Sequence, residues 1–168
     1  GTALGYQALG ANTTGDSNTA VGKESLLANT TGTGNVSVGA FSLNSSNSNN
    51  NVAIGLYAAQ ETTSGDNLVA VGRYALKENT TGAGNVAVGL NALEQNTTAS
   101  NNTAVGTQAL EANTTGTANV AVGYQALDAN TTASNNTAVG SLALTANTTG
   151  AGQVAIGVEA LEANTTGT

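Results

Sequence analysis

A five-residue motif returns every seventeen residues along this chain and constrains its fold more than any other feature. The motif reads Asn-Val-Ala-Val-Gly at 85–89, and every spacing between its closing glycines is 17 residues except the 16 between Gly39 and Gly55. The ten glycines are Gly5, Gly22, Gly39, Gly55, Gly72, Gly89, Gly106, Gly123, Gly140 and Gly157. A fixed short period is typical of solenoids, in which each copy packs on its neighbours. The sequence predicts a single repeat array of about ten coils over residues 1–168.

Each copy contains the pattern of one short strand. The residue before the glycine is Leu, Val or Ile, the residue two positions earlier is Val or Thr, and Ala lies between them except at Ser37. Alternation of large and small residues, with β-branched side chains, favours a strand that has one face toward a core. Ten such strands in one chain predict an all-β parallel β-solenoid.

A second anchor and a polar corner complete each copy. Leucine stands four residues after the glycine, with Ala59 as the exception, and we expect it to face inward on an extended second side; one helical turn is the alternative. Asn-Thr-Thr-Gly or Asn-Thr-Thr-Ala follows, as at 79–82, and supplies the conformations of a tight corner. The missing residue falls between Ser45 and Asn51, inside this corner, where a coil tolerates its loss.

Several identical chains are expected to pack side by side. The apolar side chains of one coil are too few to offset the entropy lost when seventeen residues are ordered. Two unbroken alanine columns would let another chain approach closely. They include Ala70, Ala87, Ala104, Ala121 and Ala138, and Ala75, Ala92, Ala109, Ala126 and Ala143.

The motif, including Asn-Val-Ala-Ile-Gly at 51–55, resembles the repeats of trimeric autotransporter adhesin heads. The longer unit at 119–127, followed by Asn-Thr-Thr, also resembles repeats of bacterial and phage tail-fibre-like proteins. The resemblance covers essentially the whole chain. It implies a left-handed β-roll, a side-by-side homotrimer, and attachment at a cell or virion surface through a host receptor or glycan. Autotransporter heads differ in their period, which is about fourteen residues.

Composition excludes several classes of function. The chain has no Cys, His, Met, Trp or Pro, so thiol and imidazole chemistry and disulfides are absent. A net charge of −7 with only three cationic residues argues against nucleic acid as a partner. No apolar run is long enough to cross a bilayer. We expect no enzymatic activity, no catalytic or metal-binding residue and no cofactor.

Several columns of side chains have a functional and a structural interpretation. Acidic residues one position after the leucine could bind cations or keep a fibre soluble; they are Glu94, Glu111, Asp128 and Glu162. Asn-x-Thr sequons could carry glycans, although amide stacking at corners is the favoured interpretation; they begin at Asn12, Asn29, Asn79, Asn96, Asn113, Asn130, Asn147 and Asn164.

The threonine and aromatic columns also have two interpretations each. An ice-binding face or simple corner formation would explain the threonines Thr114, Thr131, Thr148 and Thr165. Contacts to a receptor or glycan, or filling of an oligomer seam, would explain the aromatic residues Tyr6, Phe41, Tyr57, Tyr74 and Tyr124.

These observations predict a structural, non-catalytic segment of an extracellular, cell-surface or virion fibre with a role in attachment. Because both ends fall within a copy, we expect the chain to be a fragment of a longer fibre. A filament that polymerises end to end, and an ice-binding solenoid, are the alternatives.

Overall fold

The computed structural model describes residues 1–167 and contains ten parallel strands, one in each coil. The strands, β1 to β10, are Thr2–Leu4, Thr19–Val21, Val36–Val38, Val52–Ile54, Val69–Val71, Val86–Val88, Thr103–Val105, Val120–Val122, Thr137–Val139 and Val154–Ile156. They form one sheet in chain order, and equivalent residues of neighbouring copies face each other. The predicted parallel β-solenoid is therefore confirmed.

Each inner strand is hydrogen-bonded to the coils on both sides. In β7, the amide nitrogen of Thr103 donates to the carbonyl oxygen of Asn119 in the next coil at 2.8 Å. The amide nitrogen of Gly106, just after this strand, donates to the carbonyl oxygen of Val88 in the preceding coil at 2.8 Å. The short strands therefore gain their stability from stacking along the array rather than from their own length.

The second side of the coil consists of consecutive turns, so the predicted extended side is wrong, and no helix forms there within residues 1–167. In the coil after β7, Gln108 and Leu110 have positive φ values of 60° and 53°, which interrupt an extended chain. The amide nitrogen of Ala109 closes a turn onto the carbonyl oxygen of Gly106 at 3.3 Å, whereas the amide nitrogen of Leu110 donates to Ala126 in the next coil at 3.0 Å. Local turns thus alternate with bonds between coils.

The interior holds the small middle residue of strands β2 to β10, which overturns the prediction that the alanine columns lie on an intermolecular seam. Ala104 and Ala109 are fully buried, and both pack in the core with Leu110. The flanking Thr103 and Val105 point outward and are partly exposed. A three-residue strand places its middle side chain on the face opposite to its neighbours, and here that face packs with the buried leucines and holds only small side chains, alanine or Ser37.

Two columns of buried asparagine connect the coils through their side chains. In the first Asn column, which contains the sequon asparagines, Asn113 Nδ2 donates to Asn96 Oδ1 at 3.0 Å and to the carbonyl oxygen of Gly116 at 3.0 Å. The second Asn column precedes the strands and comprises Asn18, Asn35, Asn51, Asn85, Asn102, Asn119 and Asn136. There, Asn102 Oδ1 accepts from the amide nitrogen of Asn119 at 2.9 Å. Both columns close corners and tie each coil to the next.

The sixteen-residue coil keeps the register because a side chain replaces a missing main-chain group. In a regular pair of coils, the amide nitrogens of Thr13 and Thr14 both donate to the carbonyl oxygen of Thr30. In the next pair, the amide nitrogens of Thr30 and Thr31 donate instead to Asn47 Oδ1, at 3.0 and 2.9 Å. The predicted loss of one residue within the corner is confirmed, and β4 pairs with β3 without a shift.

The glycine after each strand is required by both its conformation and its surroundings. Gly106 has a φ of 137°, and a Cβ there would overlap the carbonyl oxygen of Gly123 in the next coil. An L-residue rarely adopts this φ, and stacking leaves no space for its side chain. This explains why the motif ends in glycine in every copy.

Candidate functional site

One regular surface of the solenoid is the outer face of its sheet, which we call the valine face. It consists of the first and third residues of β1 to β10, and these twenty side chains are all Val, Ile, Leu or Thr. Val105, Val122 and Val139 are each 36% exposed, and Ile54 is 41% exposed. The face is therefore an apolar array with one row per coil.

Charge is excluded from the valine face. All ten acidic residues lie in the turns and corners: Asp16, Glu24, Glu61, Asp66, Glu78, Glu94, Glu111, Asp128, Glu159 and Glu162. The three cations also lie outside the strands, although Lys23 and Arg73 directly follow the motif glycine and flank the face. Solvation of the rod thus depends on the turns and corners that connect the strands, which together we call the turn wall.

Three aromatic residues form a stack on the turn wall. Phe41, Tyr57 and Tyr74 occupy the same position in three successive coils, two residues after the glycine. The Phe41 and Tyr57 ring centroids are 5.2 Å apart, and those of Tyr57 and Tyr74 are 5.5 Å apart, with interplanar angles of 13° and 15°. Because the middle ring has a neighbour on both faces, this stack is not an open platform for a planar ligand. Tyr6 and Tyr124 are exposed one position earlier in their copies.

All three cations of the chain contact this aromatic stack. Lys23 Nζ lies 5.1 Å from the Phe41 ring centroid, while Arg73 Cζ and Lys77 Nζ lie 4.5 and 5.5 Å from that of Tyr74. Cation–π attraction at these distances stabilises a partly exposed aromatic pair. Alignment on the glycine places the three rings in one column, but the sequence alone does not show that the three cations meet them.

The aromatic stack coincides with the irregular part of the asparagine columns. Ser46 and Thr62 replace asparagine in the first column, and Leu68 replaces it in the second. Asn29 Oδ1 is consequently buried without a hydrogen-bond partner. The rings therefore add contacts between coils where the amide contacts are weakest.

Two carboxylates of the acidic column, Glu94 and Asp128, are partly buried, and burial raises the pKa of each. Desolvation, followed by repulsion from Glu111, raises the pKa of Asp128 to about 6. Desolvation also raises the pKa of Glu94, although the Lys77 ammonium, at 3.9 Å, opposes the shift. Nowhere in residues 1–167 do three or more acidic side chains form a group that could hold a metal ion.

The sequon asparagines serve the interior, as the amide-stacking interpretation predicts. Asn79, Asn96, Asn113, Asn130 and Asn147 are fully buried, and their side-chain amides bond to one another from coil to coil. A glycan on any of these nitrogens would have to replace the internal bonds and leave the core. The folded coil is incompatible with modification at these positions.

Two hydroxyl groups of the predicted threonine column donate hydrogen bonds within the fold. Thr114 Oγ1 donates to the carbonyl oxygen of Thr131 at 3.0 Å, and Thr148 Oγ1 donates to that of Thr165 at 3.2 Å. These donors are not available to ice or another ligand. The structure favours the corner-forming role of this column.

Other kinds of site are not found in the part of the chain that the structure describes. Residues 1–167 enclose no pocket, and no helix among them is long and apolar enough to span a membrane. No family model matches the sequence, and neither a curated protein nor a solved structure shows significant similarity to it. The outer surfaces of the rod are therefore the candidate sites.

Proposed function

We propose that this chain is a structural, non-catalytic segment of a fibre on a cell or virion surface, with a role in attachment. The observation that carries the proposal is the continuity of the bonding between coils. Strand amides, turn amides and asparagine side chains cross successive interfaces, and the shortened coil preserves the register through Asn47. Such a ladder makes a stiff rod, roughly 48 Å long for ten coils at the spacing of paired strands.

The resemblance of the motif to adhesin heads and tail-fibre-like repeats supports a location outside the cell. In that setting the rod projects a distal tip, and its repeated surfaces provide several weak contacts to a host receptor or glycan at once. The resemblance also supports side-by-side packing of three identical chains with left-handed coils.

Immunogold electron microscopy tests this function directly. Antibodies raised against the folded chain should decorate fibres that project from cells or virions of the source organism. Purified rods coupled to fluorescent beads should also adhere to host surfaces better than beads that carry an unrelated rod. Labelling confined to the cell interior would refute the proposal.

A further inference from the structure

We infer that Arg73 is the centre of a binding site for a carboxylate group of a protein partner, with aliphatic side chains on both sides of it. The inference rests on the proposed function, because it names the kind of receptor group that the rod would contact. Arg73 is exposed and directly follows Gly72 at the edge of the valine face. Together with the exposed Leu56 and Leu90, it forms a surface that we call the arginine patch.

The charge of Arg73 is not neutralised within the fold. Lys23 Nζ lies 3.6 Å from Glu24 Oε1, and Lys77 Nζ lies 3.8 Å from a carboxylate oxygen of Glu78. In contrast, the Arg73 guanidinium forms no ion pair with a carboxylate of residues 1–167. It can therefore pair with an external anion without giving up an internal one.

Tyr74 holds the guanidinium in place. Arg73 Cζ lies 4.5 Å from the Tyr74 ring centroid, and Arg73 Nη2 donates to the Tyr74 hydroxyl at 3.0 Å. A guanidinium carries its N–H donors in one plane, and this is the only hydrogen bond that they make within residues 1–167. The remaining donors suit the two oxygens of a carboxylate. Because the ring already orients the side chain, binding has less disorder to remove.

The neighbours of Arg73 indicate which kind of molecule carries the carboxylate. Leu56 and Leu90 occupy the same position in the preceding and following coils, about 4.8 Å away along the rod. Their side chains are 38% and 44% exposed. A sugar acid has hydroxyl groups around its ring, and these would lose hydrogen bonds to water against leucine. An aspartate or glutamate between aliphatic residues of a protein matches the guanidinium and both leucines.

The distribution of charge restricts where such a partner can bind. All acidic side chains of the chain lie on the turn wall, where they repel a partner carboxylate. The valine face and the position directly after the motif glycine hold no acidic residue in any copy. Approach from the sheet side therefore brings a partner carboxylate to Arg73 past residues that carry no negative charge.

Titration with short peptides tests the site on the folded chain. Acetyl-Leu-Glu-Leu-amide presents a carboxylate between two aliphatic side chains, and acetyl-Leu-Gln-Leu-amide is its uncharged match. The chain has a single arginine, so its side-chain N–H signal in NMR spectra is unambiguous. We expect a saturable shift of this signal with the glutamate peptide and none with the glutamine peptide.

Substitutions separate the role of Arg73 from that of positive charge in general. Fluorescence polarisation of the labelled glutamate peptide should show about tenfold weaker binding to Arg73→Gln, because charge-assisted hydrogen bonds are lost. Arg73→Lys keeps the charge without the planar donors and should lie between the parent and Arg73→Gln. Lys23→Gln is the matched control, since Lys23 has the same position in another coil but pairs with Glu24, and it should change the affinity less than about twofold. Circular dichroism checks that each variant is folded.

Equal affinities for the two peptides, or equal losses in Arg73→Gln and Lys23→Gln, would overturn the inference. Glucuronic acid that shifts the arginine signal at a lower concentration than the glutamate peptide would also overturn it and assign the site to an acidic sugar.

Adhesion of rod-coated beads separates this inference from the proposed function. Beads that carry Arg73→Gln should lose adhesion to host surfaces, whereas beads that carry Lys23→Gln should keep it. Equal adhesion of Arg73→Gln and parent beads would overturn the binding site and leave the proposed function standing. Peptide binding by a chain that labels only the cell interior would refute the proposed function alone.

Discussion

At the residue scale, asparagine side chains make hydrogen bonds between coils, as main-chain groups do in the strands. Asn113 bonds to Asn96, Gly116 and Asn130, so one side chain joins three successive coils and closes its own corner. A buried amide is favourable only when its donors and acceptor are all used, and repetition meets this condition in the uninterrupted part of the column from Asn79 to Asn130. The sequence pattern Asn-Thr-Thr therefore encodes both a corner and a contact between coils.

Asn113→Ala should destabilise the rod strongly. It removes three hydrogen bonds and leaves the acceptor of Asn96 and a donor of Asn130 buried without partners, which we expect to lower the free energy of unfolding by about 2–4 kcal/mol. Chemical denaturation followed by circular dichroism measures the change. Thr115→Ala, at an exposed corner position of the same coil, is the control and should stay within about 0.5 kcal/mol of the parent. Equal effects would mean that the ladder contributes no stability.

Buried serines show that irregular copies adjust together. Ser25, Ser37 and Ser42 occupy core positions that hold alanine in most copies. Ser25 Oγ donates to Ser37 Oγ at 2.7 Å, and Ser42 Oγ donates to the carbonyl oxygen of Gly39 at 3.0 Å. A single serine would be costly in this core, but three neighbours satisfy one another.

At the element scale, coils differ in what holds them together. Most coils have an asparagine in both Asn columns. The coils that contain Ser46, Thr62 and Leu68 each lack one of these two asparagines. The aromatic stack occupies these same coils. In a solenoid, stability is a sum of contacts between neighbours, so a local loss is compensated only locally.

Tyr57→Ala should therefore weaken one part of the rod. The substitution removes both ring contacts of the stack, which we expect to cost about 1–3 kcal/mol and to lower amide protection in residues 39–76. Hydrogen exchange with mass spectrometry resolves the change along the chain. Gln125→Ala is the matched control, since Gln125 occupies the same column, is half-buried and also has a positive φ. Loss of protection spread evenly over all coils would contradict a local role.

At the scale of the whole molecule, the two sides of the rod have opposite character. The turn wall carries all the charge, and the sheet carries the apolar face. In this protein, with a sequence pI of about 4.1, the charged groups that hydrate the surface therefore lie in the turns and corners, and the sheet face has none. The half-buried carboxylates also make the stability of the rod depend on pH.

Stability should fall as pH rises through mildly acidic values. Burial and Glu111 raise the pKa of Asp128 from 3.8 to about 6, so between these values the folded rod holds a proton that the unfolded chain has released. The contribution of this proton is complete below about pH 4 and is lost as pH rises through about 6. We expect the Tm of the parent to decrease by a few degrees over this interval relative to Asp128→Asn, measured by thermal denaturation. If the Tm values of the two proteins changed with pH in parallel, Asp128 would not be the source of the pH dependence.

The repeat pattern of the amino acids was enough to predict the period, the strand in each copy, the polar corner and the register across the shortened coil. It determined these features because glycine, β-branched residues and Asn-Thr-Thr act locally and recur at fixed spacing. The column of Phe41, Tyr57 and Tyr74 also follows from alignment on the glycine, although the cations around it depend on the positions of Lys23, Arg73 and Lys77 in space.

Which face of each strand points inward is apparent only from the packing of the folded coil. An alternation of large and small residues shows that two faces differ, but it does not show which one meets the core. In the folded coil Ala104 is fully buried and packs in the core with Leu110, whereas Val105 on the other face is 36% exposed. This packing buries the alanine columns, so they are not available as a seam between chains, and it turns the valines outward.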